Sequence, residues 1–422
     1  MNSKNKGIFF SGRTKEQHRS ECDILATYNL QEINWEENLL PFMGVLPIRI
    51  LSLKSQNPDL WNRVNLLMDH NESMKEDEKL AWDTQVVQPV QSSGKRPDWS
   101  AQDILRVIGI VNTNGVSLGL VGGCGVYPTF SFLSHSCTSN CRFQIHQDKT
   151  MVITALTDIQ AGEELTIKYL PCTIGNTLRR TKIAANWNFD CCCQRCSDPT
   201  EFGTYFDALK CYQKTCEGYL LPKALESKSD WKCDKCCQVV PAAPIQTLIK
   251  SLQEEAENFR ATDITKVETQ INNLGRILHK NHFLIVSYKK RLLDILKLWP
   301  DKPEEGSEEF RAFVEKQVDL GHDLLAVNDI LEPGFSFKRG RILRHLHLPT
   351  LQLAKMDLKA KRISMPQFVA ITKTAIQNMK DAVRCMEDFD LSSEAASAEA
   401  KSAVIAAALA NITVKSAQEN GQ

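Results

Sequence analysis

An α+β fold is expected from two contrasting textures and one cluster of cysteines. Between about residues 107 and 170, short runs rich in Val, Ile and Leu alternate with glycines and turn residues, the pattern of brief strands. From about residue 242 the chain changes to long segments whose apolar residues recur every three or four positions, the pattern of amphipathic helices. Most of the 15 cysteines fall between Cys137 and Cys237, across the junction of the two textures.

Composition narrows the class. A chain of 422 residues, 42% of them hydrophobic, can bury a sizeable core and suggests two to four domains. Its 51 basic and 51 acidic residues cancel, so neither nucleic acid nor an anionic membrane surface is expected as a partner. The apolar stretch from Val107 to Val121 is broken by Asn112, Thr113, Asn114 and Gly115, and no membrane span is expected. Gly7-Ile8-Phe9-Phe10 is too short for the apolar part of a signal peptide. A reducing compartment, cytoplasmic and/or nuclear, follows as the expectation, and clustered cysteines there point to zinc rather than disulfides.

The elements follow in order. Residues 25–98 read as helices and a polar loop, with a helix over Pro58–Asp69 carrying Leu60, Val64, Leu66 and Leu67, and a loop over Gln85–Pro97. Ser100 with Asp103 three positions on forms a capping box, and a helix follows through Ile104, Leu105 and Val107. Short strands come next. Residues 150–158 alternate as a strand, Ile159 to Glu164 supply a turn, and Leu165–Tyr169 form another strand. Seven helices are then expected, roughly Pro244–Phe259, Asp263–His279, Leu284–Leu298, Glu308–Leu325, Ile342–Asp357, Phe368–Met386 and Ser393–Val414.

Three segments carry the chemistry. The first is Phe132-Leu-Ser134-His135-Ser-Cys137, the second Gly162-Glu-Glu-Leu-Thr-Ile-Lys-Tyr169, and the third Cys191-x-Cys193-x-x-Cys196. The third offers three thiolates in six residues and needs a fourth ligand for tetrahedral zinc. Cys192 reads as a packed bystander. Beyond it, Cys211-x4-Cys216 and Cys233-x-x-Cys236 form two pairs at ribbon-like spacing, a second candidate zinc site. Taken alone, Tyr169 is a packed amphipathic residue, His135 a structural histidine, Asn114 a turn residue beside Gly115, and Trp187 and Phe189 core aromatics.

Together the three segments resemble the SET domain of protein-lysine methyltransferases, and His18-x-x-x-Cys22 resembles the end of a zinc-binding MYND module whose six earlier ligands are missing. The arrangement of the later cysteines is similar to the arthropod branch of SET/MYND proteins. The resemblance implies an irregular β SET domain with a pseudoknot and a cysteine-rich post-SET zinc segment, then an all-α tetratricopeptide-like C-terminal domain. It implies a MYND remnant at 1–24, a helical insert at 25–98, the SET core at 99–175, the post-SET segment at 176–240 and the helical domain at 241–422. It also implies S-adenosyl-L-methionine as cofactor. Tyr169 and His135 would stand at the reaction centre, Asn114, Ser134, His135, Tyr169 and Phe189 at the cofactor, and Trp187 in the substrate channel. Cys137 would be the fourth ligand beside Cys191, Cys193 and Cys196, and Cys211, Cys216, Cys233 and Cys236 would hold the second zinc.

Two departures separate the chain from the family pattern. Ser134 stands where the family has Asn; losing one charge-assisted hydrogen bond there would cost about 1.5–3 kcal/mol, roughly ten- to a hundredfold in cofactor affinity. The Gly-x-Gly strand that cradles the cofactor is not evident, and Gly7-Ile8-Phe9-Phe10 reads as a chance likeness. Two functions remain open on these residues. One is methyl transfer from S-adenosylmethionine to a lysine of a protein substrate, histone or not. The other is a catalytically impaired zinc scaffold that binds protein partners through the helical domain.

Overall fold

The computed structural model describes residues 3–6, 8–9, 44–94, 98–118, 123–171, 173–225, 229–260 and 262–386. His18 and Cys22, and the helix expected over Ser393–Val414, lie outside the described residues. The chain is an α+β protein that divides into two compact units. The first comprises Met1–Ser134, Phe143–Thr154 and Ala184–Phe189, and the second His135–Arg142, Ala155–Ile183 and Asp190–Gln422.

In the first unit, helices Val45–Gln56, Pro58–Asn65, Glu76–Trp82 and Ala101–Asn114 enclose a core of Ile48, Ile50, Leu51, Trp82, Ile104 and Ile108. The expected capping box is present: Asp103 N donates to Ser100 Oγ at 3.1 Å and Ser100 N donates to Asp103 Oδ2 at 3.2 Å. Two expectations are corrected. The segment read as a polar loop from Gln85 is helical as far as Ser92, because a π-helical turn over Asp83–Val87 leads into a short helix that carries Pro89 in its first turn, where proline is tolerated. The helix after Ser100 also runs on to Asn114, which is its last residue rather than part of a turn.

Two small antiparallel arrangements complete this unit. Strand Cys124–Val126 pairs with Gly115–Ser117 on one side and with Ile8–Phe9 on the other, and Ser3–Lys6 pairs with Thr150–Ile153 of the strand Thr150–Ala155. The residues around Ile8, read as a chance likeness, therefore belong to the sheet system. Their apolar, β-branched character suits a strand even though the glycine pair is incomplete.

The second unit starts at His135. Strand Ser134–His135 joins Thr166–Ile167, with Ser136 N donating to Ile167 O at 3.0 Å. A four-stranded antiparallel ribbon follows, in the order Val239–Val240, Trp231–Cys233, Tyr219–Pro222, Leu209–Lys210. Phe283 N donates to Phe206 O at 2.8 Å and His279 N to Ala208 O at 3.1 Å, which ties the ribbon's approach to the helical region.

That region is all helical among the described residues: Ala242–Asn258, Ile264–Leu274, Phe283–Leu298, Glu308–Leu331, Phe337–Lys359 and Met365–Met386. From Ile264–Leu274 onward, each helix packs on its successor. Two helices are longer than their periodicity predicts. Glu308–Leu331 gains a turn and a half, and Phe337–Lys359 begins at the Ser336 cap and continues past Pro349, because packing on both neighbours outweighs the missing hydrogen bond.

Gly321 faces Leu346 of the next helix at close range. A Cβ there would lie 2.4 Å from Leu346 Cδ2. Gly321→Val overpacks this contact and is expected to destabilise the protein by about 1–3 kcal/mol, read as a lower urea midpoint with the m-value unchanged. An unaltered midpoint would mean that the helices are not held at this distance.

Candidate metal centres and catalytic site

The first centre is built by local backbone geometry. The helix Asn176–Trp187 ends at Asn188, whose φ of 57° is the left-handed conformation that Asn tolerates at a helix end. That reversal carries the chain to Cys191 and Cys193, and Cys193 caps the short helix Gln194–Ser197 that contains Cys196. Cys137 arrives from the loop after His135.

The four sulfurs of Cys137, Cys191, Cys193 and Cys196 lie within 4.8 Å of one another, with Cys137 Sγ 3.5 Å from Cys196 Sγ and 4.0 Å from Cys191 Sγ. A tetrahedron of roughly 2.3 Å zinc–sulfur bonds has edges of about 3.8 Å, so the four fit one zinc ion. The expected ligand set is brought together. The cluster favours thiolate at Cys137, because neighbouring thiols and His135 direct hydrogen bonds to its sulfur and draw its pKa far below the ordinary thiol value against the opposing effect of burial. Cys192, read as packed, is instead exposed: three ligands in six residues turn every liganding side chain inward and leave this one facing out.

A tetrathiolate zinc carries a net charge of −2, and the chain places a buried guanidinium against it. Arg179 Nε donates to Cys137 Sγ at 3.4 Å and Nη2 to Cys196 Sγ at 3.9 Å. The same guanidinium donates to Glu201 Oε2 at 2.9 Å and to Ile174 O at 2.7 Å. Arg195 Nε donates to that carboxylate oxygen too, at 2.7 Å, while its guanidinium lies 5.3 Å from the Phe206 ring centre. Burial opposes the Arg179 charge, but Glu201 and the two sulfurs outweigh it and raise its pKa. Sequence patterns missed these residues, because spacing distinguishes a ligating cysteine but not a buried arginine from an exposed one.

The second centre lies on the ribbon. Cys211, Cys216, Cys233 and Cys236 also have sulfurs within 4.8 Å of one another, with Cys211–Cys236 and Cys216–Cys233 both at 3.6 Å. Cys237, beside them, is exposed and not in the group. Gly218 is required by crowding, since a Cβ would sit 2.5 Å from Cys233 Sγ and 2.7 Å from Asp234 Oδ1. Gly218 N also donates to Cys216 Sγ at 3.3 Å. Burial pushes the Cys233 thiol up, yet the backbone N–H groups of Cys236 and Lys235 outweigh it and bring the pKa down to about 7.

His135 joins the first centre to Tyr169. Its Nδ1 accepts from Tyr169 N at 3.0 Å, which leaves Nε2 as the N–H that faces Cys137 Sγ at 3.3 Å. The two rings are 5.1 Å apart. Burial pushes the Tyr169 phenol up, so it is a neutral hydroxyl at physiological pH. Asn140 fixes the approach to Tyr169 by accepting from Thr166 N at 2.8 Å and donating to Glu164 O at 2.8 Å.

The other expected cofactor residues belong to the first unit. Ser134 is exposed, Phe189 is 36% exposed, and Trp187 is half-buried at the helix end. Asn114 Nδ2 donates to Met68 O at 2.8 Å and Ile110 O at 2.9 Å, which commits its amide hydrogens to the fold.

The strand expected over Leu165–Tyr169 is confined to Thr166–Ile167, with Tyr169 in the bend that follows, and these short sheets beside a cysteine-rich flank fit a SET domain. The family model for the SET domain matches residues 15–170, and the chain carries that domain. Its relatives place it beside the SET and MYND proteins. It is 25% identical to the SET domain-containing protein SmydA-8, isoform A, of Drosophila melanogaster over 241 residues, 54% of this chain and 50% of the relative. It is 25% identical to the histone-lysine N-methyltransferase ASHR1 of Arabidopsis thaliana over 255 residues, 57% of this chain and 52% of the relative. It is 39% identical to the human histone-lysine N-methyltransferase SMYD3 over 74 residues, 18% of this chain and 17% of that protein. The chain spans about half the length, or less, of the curated relatives it matches.

Two predictions arise from the centres. Purified protein is expected to hold two zinc ions per chain by elemental analysis, and Gly218→Ala to lower this to one without loss of the Cys137 centre. Two ions retained in that variant would show that the ribbon tolerates the clash. Glu201→Gln leaves two buried guanidinium groups without their carboxylate and is expected to cost about 3–5 kcal/mol in chemical denaturation. A loss under 1 kcal/mol would show that the cysteine cluster alone compensates both arginines.

Proposed function

We propose that this chain transfers a methyl group from S-adenosylmethionine to a lysine side chain of a protein. The observation that carries the proposal is Tyr169, held through its own backbone by His135 beside the four-cysteine centre, in a segment matched by the SET family. Relatives named histone-lysine N-methyltransferases support the class of acceptor, and membership of a family that uses S-adenosylmethionine supports the methyl donor. Among the described residues no helix is long and apolar enough to cross a membrane.

S-adenosylmethionine would supply, when bound, a sulfonium methyl that an unprotonated lysine amine attacks, the carbon–sulfur bond breaking with the thioether as leaving group. The chain's part is alignment and exclusion of water. Tyr169, a neutral hydroxyl, can donate or accept at the transfer site but does not act as a phenolate base. His135 acts as a positioning residue: with Nδ1 used by Tyr169 N and Nε2 facing Cys137, its contact with a cofactor falls to its backbone. Ser134 and Phe189 would meet the cofactor through their exposed surfaces, and Asn114 through its carbonyl oxygen. Trp187 offers an aromatic face to a lysine ammonium.

Calorimetric titration with S-adenosylmethionine is expected to give saturable binding, tighter by about ten- to a hundredfold in Ser134→Asn. Tyr169→Phe is expected to keep that binding and to lose at least about a hundredfold in transfer of radiolabelled methyl to a protein acceptor. Absence of binding by both the native chain and the Asn variant would refute the proposal.

A further inference from the structure

A cavity in the helical region suggests a second ligand, unrelated to the cysteines. It measures about 220 Å³ and lies among helices Phe283–Leu298, Glu308–Leu331 and Phe337–Lys359. Its walls are apolar, with Leu293, Leu324, Leu331 and Phe337 among them. None of the residues expected at the methyl donor lines it.

Polar groups gather on the same lining. Lys290 and Arg341 bring two cations, and Asp294 is the carboxylate among them, 3.7 Å from Arg341 Nη2 and 3.4 Å from His345 Nε2. Lys338 also lines the cavity, but its ammonium is 3.4 Å from Glu332. Lys168 Nζ shares that carboxylate at 2.7 Å, so the lining, with Lys290, Lys338 and Arg341 against the single carboxylate of Asp294, is positive in excess. Two further buried atoms have no hydrogen-bond partner in the chain: Nδ2 of Asn328, a donor, and Nδ1 of His345, whose side chain is only 6% exposed. A buried donor without a partner is costly, about 1–3 kcal/mol, and marks a place where something else accepts.

We propose that this cavity binds a small molecule with an apolar body and a single carboxylate, of the medium-chain acyl type. The excess positive charge selects an anion, the Asn328 amide supplies a hydrogen bond to a carboxylate oxygen, and the leucine and phenylalanine walls take the hydrocarbon. The volume sets the size. An apolar cavity of about 150 Å³ accepts benzene, so about 220 Å³ holds a body of about nine non-hydrogen atoms. Burial, with Arg341 and Lys338 beside it, depresses the Lys290 pKa against the opposing effect of Asp294, and a bound anion would raise it.

The probe is sodium octanoate, titrated calorimetrically into the full chain, with octylammonium chloride as the cationic counterpart of equal tail. One saturable site for octanoate is expected, with octylammonium at least tenfold weaker. Lys290→Met is expected to weaken octanoate at least tenfold while its thermal unfolding curve stays cooperative. No saturable octanoate binding, or equal binding of the two amphiphiles, would overturn the proposal. So would unchanged affinity in Lys290→Met. If that variant does not fold, the octanoate and octylammonium comparison on the native chain decides alone.

Discussion

The contact on which the second unit depends is that of Arg179 with two of the four clustered cysteines on one side and Glu201 on the other. Four thiolates around a divalent ion leave two negative charges in a buried place, and hydration cannot offset them there. The guanidinium can, because its planar fork presents donors in several directions at once. Arg179 and Arg195 together match those two charges, and Glu201 holds the two guanidinium groups in place by accepting from both through Oε2. The result is a chain of alternating charge, from sulfur to arginine to carboxylate to arginine, with side chains no more than 1% exposed at its three charged residues.

This charge chain explains local backbone features that otherwise look arbitrary. Glu201, Phe202 and Tyr205 all have positive φ although none is glycine. Such conformations carry a cost, and they persist where the surroundings over-determine them. Here Asp198 accepts from Thr200 N at 2.8 Å and Phe202 N at 2.7 Å, and Tyr205 N donates to Thr200 O at 2.7 Å, so the loop is tied from within. The same loop delivers Asp207, which accepts from Thr177 N at 3.0 Å and so caps the start of the helix bearing Arg179. One short stretch, residues 198–207, thus sets both the carboxylate and the helix that the metal centre needs.

What the sequence disclosed, and what it hid, divides along the same physical line. Cysteine spacing is a direct record of ligand geometry, so Cys191, Cys193 and Cys196 announced a metal site, and the pairs Cys211–Cys216 and Cys233–Cys236 a second. The Ser100 and Asp103 pair announced a helix start because capping is local. Burial of charge leaves no such trace: nothing in Thr-Leu-Arg179-Arg-Thr or Cys-Gln-Arg195-Cys distinguishes a buried arginine from an exposed one. The segment after Gln85 misled for a related reason. Its Pro, Ser and Gly content describes loops in isolation, whereas Pro89 at the first turn of a helix offends nothing, and Val86, Val87 and Val90 supply the buried face. Asn114 reads as a turn residue because Gly115 follows it, yet the preceding buried positions, Ile104, Val107, Ile108 and Ile110, carry the helix to its end.

His135 shows how a metal centre can matter to chemistry that it does not touch. Its imidazole uses one nitrogen to receive the backbone N–H of Tyr169 and the other to face a sulfur of the cluster. With the cluster filled, Cys137 is a thiolate and the Nε2 proton has a charged acceptor. That fixes the tautomer and ring plane, and hence the place where Nδ1 holds the tyrosine backbone. Without the ion, Cys137 can regain a proton and move, and the ring loses the constraint that aims it. The tyrosine would then keep its place after the strand Thr166–Ile167 but not its position to within the few tenths of an ångström that alignment of reacting groups demands. An ion held by these four sulfurs would act on the position of one backbone amide, through the one ring that touches both Cys137 and Tyr169.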